Sequence, residues 1–241
     1  MAPLPSQPKN PALLIGDADV VVQILVSGLT PKLHVFRRQY GIQPVITQAV
    51  AGELPNLLRR RFRDRVAGYE KALRHRAIGV LDLSLLSQVY GNVGQLIVER
   101  IDELGKELWK QGVGRGEAYL HAAGVLLKLP VVTNDMEALR VLRDRSISVP
   151  DRILRFFDVV VFLHQIGELK SSDCEEVRRQ LIRHDEHVPL CFQKASFEDG
   201  LKEFFPRLLD SDAQKVGSDT VRDQRLDQTT YLIKPQSQSM S

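Results

Sequence analysis

Cysteine is scarce in this chain. Among 241 residues there are two, Cys174 and Cys191, without Cys-x-x-Cys spacing. That argues against a disulfide framework or a thiolate zinc site, and sparse thiols suit a reducing compartment. Aromatic residues make up 6%, with one tryptophan, so no aromatic-rich platform for single-stranded bases stands out. That residue, Trp109, ends a helical pattern and reads as a packing residue. No apolar run approaches the roughly 20 residues of a membrane helix; the longest lies in "FFDVVVFLHQIG". The start, "MAPLPSQPKNPALLIGD", lacks a basic segment ahead of a long apolar one, which argues against a signal peptide. A cytoplasmic protein with no membrane partner is expected. The formal net charge of +3 is too small to define a partner by itself.

What remains is an ordinary globular composition, 43% hydrophobic and 26% charged, in a chain long enough for a large core. Short apolar runs alternate with helical spacing. "ALLIG", "QPVIT", "AIGVLDL" and "LPVVTND" read as strands, and "SISVP" as the start of a fifth. Strand and helix in alternation predict an α/β fold, three layers around a mainly parallel sheet.

Two long helical patterns interrupt the core. One runs from Leu54 to Leu73, about 30 Å if continuous. The other runs through Leu85, Val89, Val93, Ile97, Ile101, Leu104 and Leu108. They are expected to pair as an insertion spanning about residues 54–110. Residues 1–11 read as a loose proline-rich lead, 12–167 as the main domain, 168–210 as a helical extension, and the Gln/Ser-rich 211–241 as a mobile tail.

Parallel α/β sheets bind ligands at the carboxyl ends of their strands. Acids stand there. Asp17 and Asp19 follow the first strand, Glu53 the second, and Asp135 the fourth. Glu117 opens the helix "GEAYLHAAG", where an anion suits the helix dipole. Carboxylates gathered in one cleft repel each other and resist desolvation. A divalent cation relieves both, and an oxygen-only donor set suits Mg²⁺ or Mn²⁺. Such ions activate water and neutralise charge on a phosphodiester. Singly, each acid also has a plain structural reading. Asp19 and Asp135 could cap the helices that come next, Glu53 could be solvated, and Glu117 could serve the dipole.

The segments "LLIGDADVVVQIL", "PVITQAVAGEL" and "GRGEAYLHAAGVLLKLPVVTND", in that order, resemble the PIN-domain family of metal-dependent ribonucleases, which includes bacterial toxins of toxin–antitoxin pairs. The likeness spans roughly Ala12 to Gly167. It implies a PIN-like fold and an endoribonuclease acting on RNA. It also implies Asp17, Glu53, Glu117 and Asp135 as catalytic, metal-binding acids for Mg²⁺ or Mn²⁺, with Thr133 and Asn134 in support. An acidic antitoxin-like inhibitor and a second copy of the chain are the protein partners it implies. The chain departs from the family after its first acid, with Ala18 and Asp19 where a small polar residue and Asn are usual.

Two rival readings compete with this one. A haloacid dehalogenase-type phosphatase would use Asp17 as nucleophile and Asp19 as acid/base. Its signature continues with Gly-Thr, however, and this chain continues with Val20 and Val21. A non-catalytic PIN-like module would bind nucleic acid or protein without turnover. For nucleic acid the candidates are Arg115, in the glycine-flanked loop beside Glu117, and Arg59, Arg60, Arg61 and Arg63 in the first long helix. Arginine-dense faces bind phosphate backbones by charge and by bidentate hydrogen bonds; a solvated amphipathic face is the plain alternative. His121, one turn from Glu117, reads as an ordinary core or surface histidine.

Overall fold

A computed structural model describes residues 12–144 and 149–204. Contacts divide the chain into two compact units, Lys9–Phe156 and a second that takes in the chain from Phe157 onward. The sequence reading carries its main domain on to Gly167. Among the described residues no single helix is long and apolar enough to cross a membrane.

The first unit is built on five strands: β1 Ala12–Gly16, β2 Ile42–Thr47, β3 Gly79–Leu81, β4 Val131–Val132 and β5 Ile153–Leu154. They form one parallel sheet in the order β3-β2-β1-β4-β5. With helices around the sheet this is an α/β fold of the three-layer kind. Ile15 pairs with Val45 and Val131 in register, and Gly16 with Ile46 and Val132. Side chains alternate between faces along a strand. Leu13, Ile15, Val45 and Val131 therefore enter one core layer, while Leu14 and Ile46 are buried on the other side. Burial on both faces explains why β1 and β2 read as apolar runs rather than alternating ones. The chain steps from β1 to β2 and β3 on one side, then returns to β4 on the other. The strand order thus reverses beside β1, and the carboxyl ends of β1 and β4 are the place where sheets of this kind take ligands.

Among the described residues eight helices connect these strands: α1 Ala18–Val26, α2 Thr30–Tyr40, α3 Gln48–Arg61, α4 Val66–Arg74, α5 Leu83–Tyr90, α6 Gly94–Lys110, α7 Arg115–Leu127 and α8 Met136–Asp144. Of these, α2 has no apolar run to announce it. Its signals are Pro31 in the first turn and Gly41 as a left-handed cap.

Neither long helix is continuous. The first breaks at Phe62, whose φ of −144° leaves the helical region, and a 3-10 turn, Arg63–Arg65, separates α3 from α4. The second breaks at Gly91. Its φ of +64° and ψ of −136° are open to glycine and strained for other residues, and a 3-10 turn comes next. The expected pairing of the two patterns is replaced by packing of α6 along α7, with α5 folded back on α6. Hydrophobic periodicity had carried through both breaks, because the residues on each side still face apolar surroundings.

The α7 helix explains its own small residues. Ala118, Ala122 and Ala123 are fully buried. A Cβ at Gly124 would lie 2.6 Å from Val131 Cγ1 and 2.8 Å from Pro150 Cγ. Only a bare backbone permits so close an approach to β4, and that approach brings the first turn of α7 to the sheet's carboxyl end. "SISVP" lies partly outside the described residues; the fifth strand is Ile153–Leu154, inside what read as a helix from Arg152. That helix, α9, spans Phe156–Gln165.

The second unit is helical, with most of α9, then α10 Ser171–Arg183, α11 Leu190–Gln193 and a helix described over 197–204. Phe192 stacks on Phe157 at 4.8 Å between ring centroids and on Phe197 at 5.4 Å. Glu175 is held by Arg178 (Nη2 to Oε1, 2.6 Å) and by the Phe197 backbone N–H (2.8 Å). Arg178 also donates to the Phe192 carbonyl at 3.0 Å.

Candidate functional site

Asp17 ends β1 and begins α1. Asp17, and not Asp19 as expected, caps this helix, its Oδ1 accepting from Val20 N–H at 2.6 Å. Geometry decides this: the cap must precede the first turn with extended backbone, as Asp17 does at φ −84° and ψ 179°. Asp19 instead lies exposed in the first turn. Capping leaves Asp17 buried, with 3% of its surface exposed.

Glu117 reaches the same place from the first turn of α7. Its Oε1 accepts from the Thr133 hydroxyl at 3.1 Å, and its carboxyl lies against that of Asp17, close enough to hydrogen-bond once one of the two is protonated. Thr133 is fully buried at the end of β4, and its hydroxyl also faces Asp17, so one hydroxyl proton serves two carboxyls. Its Oγ1 in turn accepts from Asp135 N–H at 3.0 Å. Asp135 caps α8 through Ala138 N–H at 2.9 Å, so the structural reading of this acid holds beside any functional one.

Two carboxyls hydrogen-bonded to each other must share a proton. Burial pushes Glu117 up to about 9, with the nearby charges of Asp17 and Asp135 adding to it. Burial raises Asp17 too, against the hydrogen bonds from Thr133 and Val20. The pair as a whole keeps a proton at neutral pH. Glu117 Oε2 is buried with no hydrogen-bond partner, and His121 Nε2 lies 3.5 Å away. His121 is fully enclosed, and burial holds its imidazole down at about 4, hence neutral. Spacing of four along one helix face was the signal for this contact.

Glu53 stands apart from that pair. Its partners are Gly116 N–H and the Arg115 charge, while burial, the larger effect, raises it. Gly114 begins α7 with no side chain to cap it. Glu53 therefore serves α7 from outside, one residue from Glu117, without a hydrogen bond to Asp17 or Glu117. Asn134 donates to Gln23 Oε1 at 2.8 Å and accepts from Phe156 N–H at 3.4 Å. Gln23 was missed in the sequence; its signal was a lone amide inside the apolar run of α1, where it is fully buried.

The donor set fits a hard divalent cation in chemistry. The donors are carboxylate oxygens, they repel each other, and one buried oxygen has no partner. Among the described residues, however, no three His, Cys, Asp or Glu side chains already converge as a metal-holding group. The acids match the ion by charge and atom type, not as a finished cage.

Of the arginines, Arg59, Arg60 and Arg61 form the exposed last turn of α3, and Arg63 is exposed in the 3-10 turn after it. Glu53 and Arg61 are about 12 Å apart along the α3 axis. Arg115 opens α7, and its guanidinium lies 5.7 Å from the centroid of the Trp109 ring. Trp109 is not the packing residue expected. It is 52% exposed, because α6 ends one residue later and the indole lies beyond the buried seam of Ile101, Gly105 and Leu108. No protein-family model matches this chain, and no curated protein matches it in sequence.

Proposed function

We propose that the chain is a divalent-metal-dependent nuclease of PIN type, an endoribonuclease hydrolysing RNA phosphodiesters. The observation that carries the reading is the approach of Asp17 and Glu117 at the carboxyl ends of β1 and β4, with the Thr133 hydroxyl donating to Glu117 and the charge of Asp135 acting on it. Buried acids raised this far above their ordinary range are uncommon outside functional sites. Asp17, Glu117 and Asp135 would hold the ion, with Glu53 as the fourth acid. Bound there, Mg²⁺ or Mn²⁺ would supply an activated water and positive charge against the phosphodiester oxygens. The chain's own part is positional. Val20 N–H fixes Asp17, Thr133 fixes Glu117, and the Asn134–Gln23 pair anchors the turn that carries Asp135. Arg115 and the arginines of α3 would attract the RNA backbone. Family resemblance alone selects RNA over DNA and suggests a toxin with an acidic antitoxin-like partner.

A second reading, a non-catalytic module on the same fold, draws on the lack of a converged three-donor group among the described residues. One experiment separates the two. Single-stranded and structured RNA and DNA are incubated with the protein in Mn²⁺ or EDTA, beside Asp17→Asn and Asp135→Asn. Cleavage that requires Mn²⁺ and is lost in both variants is expected. Cleavage that survives chelation or both substitutions would sink the mechanism, and none on any substrate would favour the module.

A further inference from the structure

Trp109 poses a physical problem. A tryptophan that folds into a core buries some 150–250 Å² of ring surface. This one, the only tryptophan in the chain, is left half exposed. The other exposed apolar residues include Leu83, Val93 and Leu96, aliphatic side chains on α5, α6 and the turn between them. Trp109 differs because a guanidinium lies over its ring. Arg115 approaches the centroid to 5.7 Å, within the range of a cation–π contact. The loop between them is short, and it turns at Gly112, where φ is +90°.

The pair is also tied to the acidic site. The Arg115 charge acts on Glu53, and Glu53 accepts from Gly116 N–H. The next residue is Glu117, in contact with Asp17. A flat aromatic face, a planar cation and the acids thus succeed one another around the start of α7. A nucleic-acid strand presents the matching series of base, phosphate and scissile bond.

We propose that Trp109 and Arg115 form a base-stacking subsite, in which the indole receives an unpaired nucleobase and the guanidinium holds an adjoining phosphate. The class of ligand rests on the nuclease reading of the neighbouring acids. Stacking on an aromatic ring tolerates any base but needs the base out of its duplex. The subsite therefore selects single-stranded or looped nucleic acid at the site, and paired strands are excluded from it.

The lone tryptophan makes the test direct. In EDTA, where metal-dependent cleavage is off, a short single-stranded RNA is titrated against the full chain and Trp109 emission is followed. Quenching is expected with the single strand, and much less with a fully paired duplex or a strand of the same length bearing abasic sites. By anisotropy of labelled RNA, Trp109→Leu should weaken binding about tenfold or more and Trp109→Phe distinctly less. Arg115→Gln should weaken it and flatten its salt dependence. Equal quenching by the abasic strand would overturn the proposal, as would unchanged affinity in Trp109→Leu. A Trp109 that responds to no nucleic acid would also overturn it and point to a protein contact. Quenching without any cleavage in Mn²⁺ supports the subsite while sinking the nuclease reading; cleavage without quenching does the reverse.

Discussion

Glu117 in the first unit and Glu175 in the second are both largely enclosed, with side chains 14% and 25% exposed. Their surroundings differ in kind. Glu175 has Arg178, the Phe197 N–H and the charge of Arg179, and these hold its carboxyl below the ordinary range, Arg178 most of all. Glu117 has Thr133, two other carboxyls and a neutral histidine, and is driven up to about 9 by burial and by those acids. One acid is complete within the fold and ties helices together. The other lacks a counter-charge within the chain, and without a cation beside it burial favours the protonated acid. Buried polarity alone does not mark a site; buried polarity without compensation does.

The comparison can be broken most forcefully at Arg178. Replacing it by Ala leaves the Glu175 carboxylate short of its main donor. Unfolding in urea should show a loss of about 2–4 kcal/mol, below the upper range for buried pairs because both side chains keep some solvent. A loss under roughly 0.5 kcal/mol would mean that backbone donors suffice.

Glu117→Gln should act in the opposite direction. The native carboxyl keeps its proton up to about pH 9, while in the unfolded chain it is released near 4.5. Stability is therefore whole below the unfolded value and falls as pH rises from about 4.5 towards 9. The Gln variant lacks this slope. Thermal unfolding in EDTA should find it more stable than the parent by on the order of 1–3 kcal/mol at pH 7, and closer to it at pH 4.5. Parallel pH profiles for the two proteins would refute the assignment.

Glu53 tests where the uncompensated region ends. As an outside cap of α7, Glu53→Ala should cost about 1 kcal/mol, and Glu53→Gln much less because an acceptor remains. If Glu53 is also a metal acid, the Gln variant loses part of the thermal upshift that Mn²⁺ gives the parent. The smallest effect belongs to Asp19→Asn. An exposed first-turn residue should shift stability by less than about 0.5 kcal/mol, with the Mn²⁺ upshift retained. A larger loss would reveal a tertiary partner for Asp19.

Much of this was legible along the chain. Apolar runs at β1 and β2 and the alternation with helices announced a parallel α/β sheet, because strands buried on both faces leave no polar alternation. Asp17, Thr133, Asn134 and Asp135 could be placed at strand ends, since chain order alone puts a residue next to the strand it adjoins. The helix breaks at Phe62 and Gly91 were hidden, because periodicity reports which face is apolar and not whether the axis continues. Strand β5, two residues long, is separated from the apolar run of α9 by Arg155 alone, so its pattern merges with that of the helix.

The sequence by itself determined the fold class, the acids and their approximate stations, through local patterning and strand-end chemistry. Tertiary structure alone decided which acids meet. It put Glu117 against Asp17, turned Glu53 towards Gly116, enclosed His121 and left Trp109 exposed beneath Arg115. The reason is physical. Contacts between residues 17, 117 and 133 depend on how closely α7 approaches β4, and that distance is set by packing across the whole layer, not by any local stretch of chain.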